Sequence, residues 1–194
     1  MKKLTTVTLC CAFLAAASLP ASAASIRERT LDLDARFAFE HTSVSIDLPT
    51  GGEEEYGATT FYLNAGLGYF VTSRVEIIGD LLVDHSSVDE FDVTGFGLGA
   101  RGQYHFPTEG GVIPFVGLGL GFVTHGGDLD NDETEFFFPE ISGGVRVPFE
   151  DVVAMNFSVG YRHRFSAYGI EEASGNEIFL GFGISVFLQG GVGE

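Results

Sequence analysis

The chain has 194 residues and a formal net charge of −17, and 45% of its residues are hydrophobic. This hydrophobic content excludes a disordered chain, and the acidic balance argues against nucleic-acid binding, which needs basic residues to neutralise phosphates. Beyond the N-terminus no apolar run reaches about 18 residues, so we do not expect a helical membrane protein. The length suits a single domain.

The first 23 residues have the pattern of a secretory signal peptide. Two lysines precede an apolar stretch, and residues 21–23 (Ala-Ser-Ala) supply the small residues of a cleavage site. We expect cleavage after Ala23 or Ala24. Cys10 and Cys11 both lie in this segment, so the mature chain would contain no disulfide and no cysteine ligand for a metal.

The rest of the chain alternates between apolar and mixed residues in eight segments. In residues 30–40, for example, leucine and phenylalanine occupy most odd positions and charged residues most even positions. A period of two places successive side chains on opposite faces and predicts β-strands. The predicted strands are residues 30–40, 59–70, 74–84, 93–106, 113–124, 137–149, 153–164 and 177–188.

The lengths of these segments indicate the architecture. Strands of about 10–12 residues exceed the usual 5–6 and match a tilted strand that crosses a hydrocarbon core. Pro139 and Pro148 are expected near strand ends, where a missing N–H is tolerated. We expect short connections near 71–73, 107–111 and 150–152, and long ones near 41–56, 85–92, 125–136 and 165–176. This alternation predicts an all-β fold, an eight-stranded antiparallel up-and-down transmembrane β-barrel.

The composition of the two faces indicates which one contacts lipid. A soluble barrel has an apolar interior and a charged exterior. Here one face is aliphatic and nearly uncharged in all eight segments, and a charge that faces lipid costs about 2–4 kcal/mol at the bilayer midplane. We therefore place the aliphatic face against lipid and the mixed face inside, with a soluble barrel as the alternative.

The mixed face then forms the lumen. Eight strands leave room only for side chains, and buried charges must be paired. Because arginine meets carboxylates through two parallel hydrogen bonds, we expect a filled lumen held by ion pairs, with a gated ion path as the alternative. Phe138 is expected to point inward, and Phe137 to lie at the membrane interface. The predicted lumen ion-pair network is Asp32, Asp34, Arg36, Glu76, Asp80, Arg101, Glu140, Arg146, Arg162 and Arg164.

Three stretches resemble a known superfamily. Ile113–Phe122 (IPFVGLGLGF), Gly160–Arg162 (GYR) and the last strand, Gly181–Leu188, are similar to strands of the small eight-stranded outer-membrane β-barrels. That class includes the barrels of outer-membrane proteins A and X and the opacity-type surface proteins. The last strand departs from the family's insertion signal because it lacks a final aromatic residue and precedes a tail, residues 189–194. The resemblance covers roughly residues 25–188, and we expect the barrel domain to comprise residues 24–188.

The resemblance implies a place in the outer membrane of a Gram-negative bacterium, with both termini in the periplasm. It also implies contact with the outer-membrane insertion machinery, outer-membrane lipids and lipopolysaccharide. The superfamily contains adhesins, structural proteins and enzymes, so the fold alone does not assign an activity. We expect a structural or cell-surface interaction role, in which four acidic extracellular loops contact a surface ligand, and a small ion-permeable channel is one alternative.

A hydrolase is the other alternative. Outer-membrane lipid A deacylases, which are also eight-stranded barrels, use a His-x-Ser pair followed by Asn. Here the candidate catalytic residues are His163 and Ser166, which are separated by two residues. Residues three apart on a strand face opposite sides, and the Asn is missing, so we expect no enzyme.

The acidic residues 128–132 are a candidate metal site. Asp128, Asp130 and Asp132 alternate like the start of a calcium-binding loop, but Glu133 replaces the glycine at position six and Pro139 the glutamate at position twelve. We therefore predict no metal or other cofactor, with a looser divalent-cation site at the three aspartates as the alternative.

Overall fold

The eight predicted strands close into one barrel. The computed structural model describes residues 26–47, 53–88, 91–108, 111–127, 133–165 and 175–188. Each strand pairs antiparallel with the next, and β8 pairs with β1, which confirms the predicted fold class. The described residues include no helix long and apolar enough to cross a membrane. The strands are β1 (Leu31–Asp47), β2 (Glu53–Phe70), β3 (Val75–Val88), β4 (Phe91–His105), β5 (Ile113–Gly127), β6 (Glu133–Glu150), β7 (Val153–Arg164) and β8 (Gly175–Leu188).

The two ends of the barrel differ in a way that the sequence did not predict. We call one end of the barrel the turn end; there the strands are connected by residues 71–74, 106–112 and 151–152. The predicted strand bounds were nearly right at this end. At the opposite end, the hairpin end, most strands are longer than predicted. Strand β1 continues from residue 40 to Asp47, which pairs with Glu53 of β2.

The predicted alternation of short and long connections was therefore wrong. The connection expected at 41–56 occupies only residues 48–52, and the one expected at 85–92 only residues 89–90. Backbone pairing continues the strands there, although residues 41–47 and 53–59 contain few large apolar residues that would extend the period-two hydrophobic signal.

Side chains alternate in exposure along the strands as the sequence predicted. Leu81 is 60% exposed, whereas its neighbours Asp80 and Leu82 are each 4% exposed. Phe96 and Ile178 are similarly exposed, and the outward apolar positions form a band around the barrel. A band of this extent is unfavourable in water and is solvated by hydrocarbon.

A β-bulge in β6 overturns one assignment. Phe137 pairs with Arg164 and Glu140 pairs with Arg162, so both Phe138 and Pro139 lie opposite one residue of β7. The extra residue shifts the alternation and turns Phe137 into the lumen, where it is 3% exposed, so its predicted place at the interface was wrong. Pro139 lies well inside β6 rather than near its end, because a bulge tolerates the missing N–H.

Candidate functional site

The lumen contains all ten charged residues that the sequence assigned to it. Each of these side chains is at most 6% exposed, and the residues are Asp32, Asp34, Arg36, Glu76, Asp80, Arg101, Glu140, Arg146, Arg162 and Arg164. They form two clusters along the barrel axis, one toward the turn end and one toward the hairpin end.

Arg101 holds two aspartates together in the turn-end cluster. Its Nε donates to Asp80 Oδ2 at 2.6 Å and its Nη2 donates to Asp80 Oδ1 at 2.8 Å. The same Nη2 also reaches Asp34 Oδ2 at 3.2 Å. Two parallel charge-assisted hydrogen bonds fix the guanidinium in one plane, so this pair joins β3 to β4 and reaches across the lumen to β1.

Arg146 and Asn156 continue the turn-end cluster. Arg146 Nη2 lies 3.0 Å from Asp32 Oδ2 and 3.3 Å from Glu76 Oε2. Its Nε donates to Asn156 Oδ1 at 3.0 Å, and Asn156 Nδ2 donates in turn to Asp34 Oδ1 at 3.0 Å. The amide thus joins the two arginine-centred groups into one hydrogen-bonded network, in which each bond restricts the next.

Arg162 and Arg164 organise the hairpin-end cluster. Arg162 Nη2 donates to Glu140 Oε2 at 2.7 Å, and Glu140 also lies 3.9 Å from Arg36. Glu177 lies 3.7 Å from Arg162 and forms a second, closer ion pair with Arg164. These contacts connect β1, β6, β7 and β8 across the lumen.

Aromatic rings fill the space around the hairpin-end arginines. The Arg162 guanidinium lies 4.3 Å from the centre of the Phe137 ring and 5.5 Å from that of Phe179. Gly160 makes room for Phe179, because a Cβ at position 160 would overlap the ring. Cation–π contacts are strongest when water is excluded, so the rings and the guanidinium stabilise each other.

Several buried residues of the lumen were not included in the predicted ion-pair network. The described lumen buries eight carboxylates, including Glu40, Asp84 and Glu177, but only five arginines. Glu40 and Asp84 each lie four residues from a predicted lumen residue, Arg36 and Asp80, and Glu177 shares a face of β8 with the buried Phe179. The alternation itself thus places all three inside. His105, whose Nε2 lies 3.0 Å from Glu76 Oε2, follows the same rule.

A polar cluster lies on the outer surface near the hairpin end. His163 of β7 pairs with Asn176 of β8, and both side chains point outward. Asn176 Oδ1 accepts a hydrogen bond from Tyr161 at 2.6 Å and one from His163 Nδ1 at 3.0 Å. The exposed Phe165 ring lies edge-on to the His163 ring. We call Tyr161, His163, Phe165 and Asn176 the outer-rim cluster.

The remaining predicted site residues lie outside the described part of the chain. These are Ser166, the proposed partner of His163, the three aspartates at 128, 130 and 132, and the cleavage position Ala23. Within the described residues, no group of three or more histidine, cysteine or acidic side chains is arranged to hold a metal ion.

Three solved structures share this fold. Neisserial surface protein A matches with a TM-score of 0.56 at 17% identity, over 79% of this chain and 96% of its own. OprG from Pseudomonas aeruginosa matches with a TM-score of 0.53 at 12% identity, over 87% of this chain and 100% of its own. The N-terminal barrel domain of Pseudomonas aeruginosa OprF matches with a TM-score of 0.50 at 19% identity, over 84% of this chain and 99% of its own. At these identities the similarity concerns the fold alone.

The sequence comparisons identify the family. None of the curated proteins compared with the chain matches it. The model of the outer membrane protein beta-barrel domain, however, matches residues 9–185, which is most of the chain. The chain therefore belongs to the outer membrane protein beta-barrel domain family, and its place is the outer membrane.

Proposed function

We propose that the protein is a closed membrane anchor that presents the hairpin end of its barrel at the cell surface. The observation that carries this proposal is the filled lumen, in which charged side chains are paired across the barrel and packed against rings. A lumen of this kind stabilises the barrel and leaves the exposed hairpins to make contacts. The proposed role is thus structural support or surface interaction, without ion conduction.

The strand register supports this orientation. Leu31 pairs with both Tyr69 and Leu188, so the start of β1, the end of β8 and the turn at 71–74 share the turn end. Barrels of bacterial outer membranes have short periplasmic turns and a larger extracellular side. We therefore place the hairpin end outward, and its connections include Asp128, Asp130 and Asp132.

Conductance in planar bilayers tests the closed lumen. We expect the purified protein to show no discrete openings in a membrane where a porin added afterwards opens normally. The physical reason is that an ion would have to displace paired charges such as Arg101 and Asp80 from a site without bulk water. Regular conductance steps from the protein alone would contradict the proposal and favour the channel.

Labelling of intact cells tests the orientation. We expect a cysteine in Asp130→Cys to react with a membrane-impermeant maleimide, because residue 130 belongs to a hairpin-end connection. Ser73→Cys is the matched control, because Ser73 lies in a turn at the opposite end and should react only after cell lysis. The unsubstituted chain measures any background labelling of Cys10 and Cys11. Labelling of the second variant alone would reverse the orientation.

The deacylase alternative has one supporting observation, namely that Asn176 orients the outward-facing His163 through a hydrogen bond to Nδ1. A general base with a fixed tautomer is one part of a hydrolytic site. Mass spectrometry of lipid A from cells with and without the protein tests this alternative. We expect identical acyl-chain patterns, whereas a lost acyl chain that returns in His163→Ala cells would establish the enzyme.

A further inference from the structure

The outer-rim cluster lies where the apolar outer surface of β7 and β8 ends. On β7 and β8 the outward positions below it carry residues such as Phe157, Val159 and Leu180. Tyr161, His163 and Asn176 then follow at the hairpin end. A side-chain amide that faces hydrocarbon without a partner is unfavourable, so a polar group at this height indicates the depth at which lipid headgroups begin.

The hydrogen bonds within the cluster determine what it offers a ligand. Asn176 Oδ1 can only accept a hydrogen bond, so His163 Nδ1 must carry the proton of the bond between the two atoms. Tyr161 donates to the same oxygen and occupies its second acceptor position. The groups that remain for a ligand are the N–H donors of Asn176 Nδ2 and the Nε2 of His163, which accepts when neutral and donates when protonated.

The backbone pairing around His163 differs on its two sides. On the β6 side the regular pairing passes from Arg162 directly to Arg164, because the bulge at 138–139 lies opposite His163. On the β8 side the pairing continues through His163 and Asn176 without a break. Bulges commonly re-aim side chains beside binding sites, and this one coincides with the cluster.

The charges around the cluster suit an anionic ligand despite the acidity of the chain. The carboxylates of β7, β8 and the adjoining β1 that the structure describes point into the lumen, where Glu40 and Glu177 are buried near Arg162 and Arg164. The described outward side chains beside His163 carry no negative charge: Tyr161, Phe165, Asn176 and Ile178. Among the side chains that the structure describes, a phosphate at this point would therefore meet donors without a facing carboxylate.

We propose that the outer-rim cluster binds the phosphorylated sugar headgroup of an outer-leaflet glycolipid. Asn176 Nδ2 donates to a phosphate or sugar oxygen, and His163 Nε2 bonds a neighbouring hydroxyl or phosphate oxygen. The exposed ring of Phe165 packs beside the sugar. The inference rests on the orientation proposed above, because only the outward-facing end meets the outer leaflet.

Lipid binding to the refolded protein tests the site. The protein is held in lauryldimethylamine oxide micelles, whose headgroup has neither phosphate nor sugar, and diphosphorylated lipid A is titrated while bound lipid is counted by native mass spectrometry. We expect the affinity for lipid A to fall about tenfold or more in His163→Ala and in Asn176→Ala. Because both residues are exposed on the surface, the variants should keep the circular dichroism spectrum of the folded barrel.

His85→Ala is the matched control. His85 is also exposed near the hairpin end, on β3, and its Nδ1 lies 3.3 Å from Thr94 Oγ1. We expect this variant to bind lipid A as the unsubstituted protein does. An equal loss in His85→Ala, or unchanged binding in both His163→Ala and Asn176→Ala, would overturn the site.

Three further probes identify the chemistry that is recognised. Phosphatidylglycerol supplies phosphate without an amino sugar, dephosphorylated lipid A supplies sugar without phosphate, and inorganic phosphate supplies the anion alone. We expect each to bind more weakly than lipid A, and an equal affinity for any of them would overturn the assignment to a phosphorylated sugar.

Nitrogen NMR of the imidazole gives a second readout. Lipid A should shift His163 Nε2 while Nδ1 stays protonated, and an unmoved Nε2 would contradict direct contact. The labelling of Asp130→Cys on intact cells reports the orientation independently. If labelling shows the outward orientation and lipid A does not bind, the glycolipid site alone is wrong.

Discussion

Replacement of Arg101 by methionine should destabilise the barrel severely. Arg101 makes two hydrogen bonds to Asp80, at 2.6 and 2.8 Å, and one to Asp34 at 3.2 Å. All three side chains are at most 6% exposed, so water is not available to replace the lost guanidinium. Asp34 keeps its bond from Asn156, and the damage is therefore centred on Asp80.

The magnitude follows from the cost of an unpaired buried charge. Removal of one member of a buried ion pair costs about 3–5 kcal/mol, because the remaining charge has lost its partner in a region of low dielectric constant. We expect the free energy of unfolding of Arg101→Met to fall by about this amount. Equilibrium unfolding in urea from lipid vesicles, followed by the β-sheet circular dichroism signal, measures it.

A double variant separates the charge from the packing. The double variant Arg101→Met, Asp80→Leu has no unpaired carboxylate at position 80. It should recover more than half of the free energy of unfolding that Arg101→Met loses. A cost below about 1 kcal/mol for Arg101→Met would refute the reasoning, because it would mean that water reaches Asp80 and that the lumen is open. No recovery in the double variant would show that shape rather than charge decides this part of the lumen.

Three other substitutions test the assignment of faces by the same unfolding measurement. Leu81→Arg, near the middle of β3 on the outer face, should cost about 2–4 kcal/mol in lipid, and a smaller effect than that of Leu81→Ala would contradict lipid contact. Phe137→Leu should cost about 2 kcal/mol, because the Phe137 ring packs against the buried guanidinium of Arg162. Phe136→Leu on the outer surface should be nearly neutral, and equal effects of the two substitutions would contradict the bulge. Gly160→Val should cost about 1–3 kcal/mol by overlap with Phe179, and a neutral result would show that the ring has other room.

The outer-rim cluster shows where reasoning from the sequence stopped. His163 was a candidate because of a nearby serine, and the structure places its side chain on the outer face of β7. Its bond to Asn176 was not predictable, because the two residues are 13 positions apart and meet only through the register of β7 and β8. Pairing register is set by the whole closed barrel rather than by either strand alone.

The period-two alternation of the sequence by itself determined the number of strands, the closed antiparallel fold and the charged residues that face the lumen. That information is local, because each side chain's face follows from its parity along one strand. The tertiary structure alone decided which charges pair, such as Arg101 with Asp80 and Asp34, and where the parity shifts at the bulge before Glu140. It also decided how far the hairpins extend, because β1 and β2 stay paired as far as Asp47 and Glu53, where few large apolar residues mark the strands in the sequence.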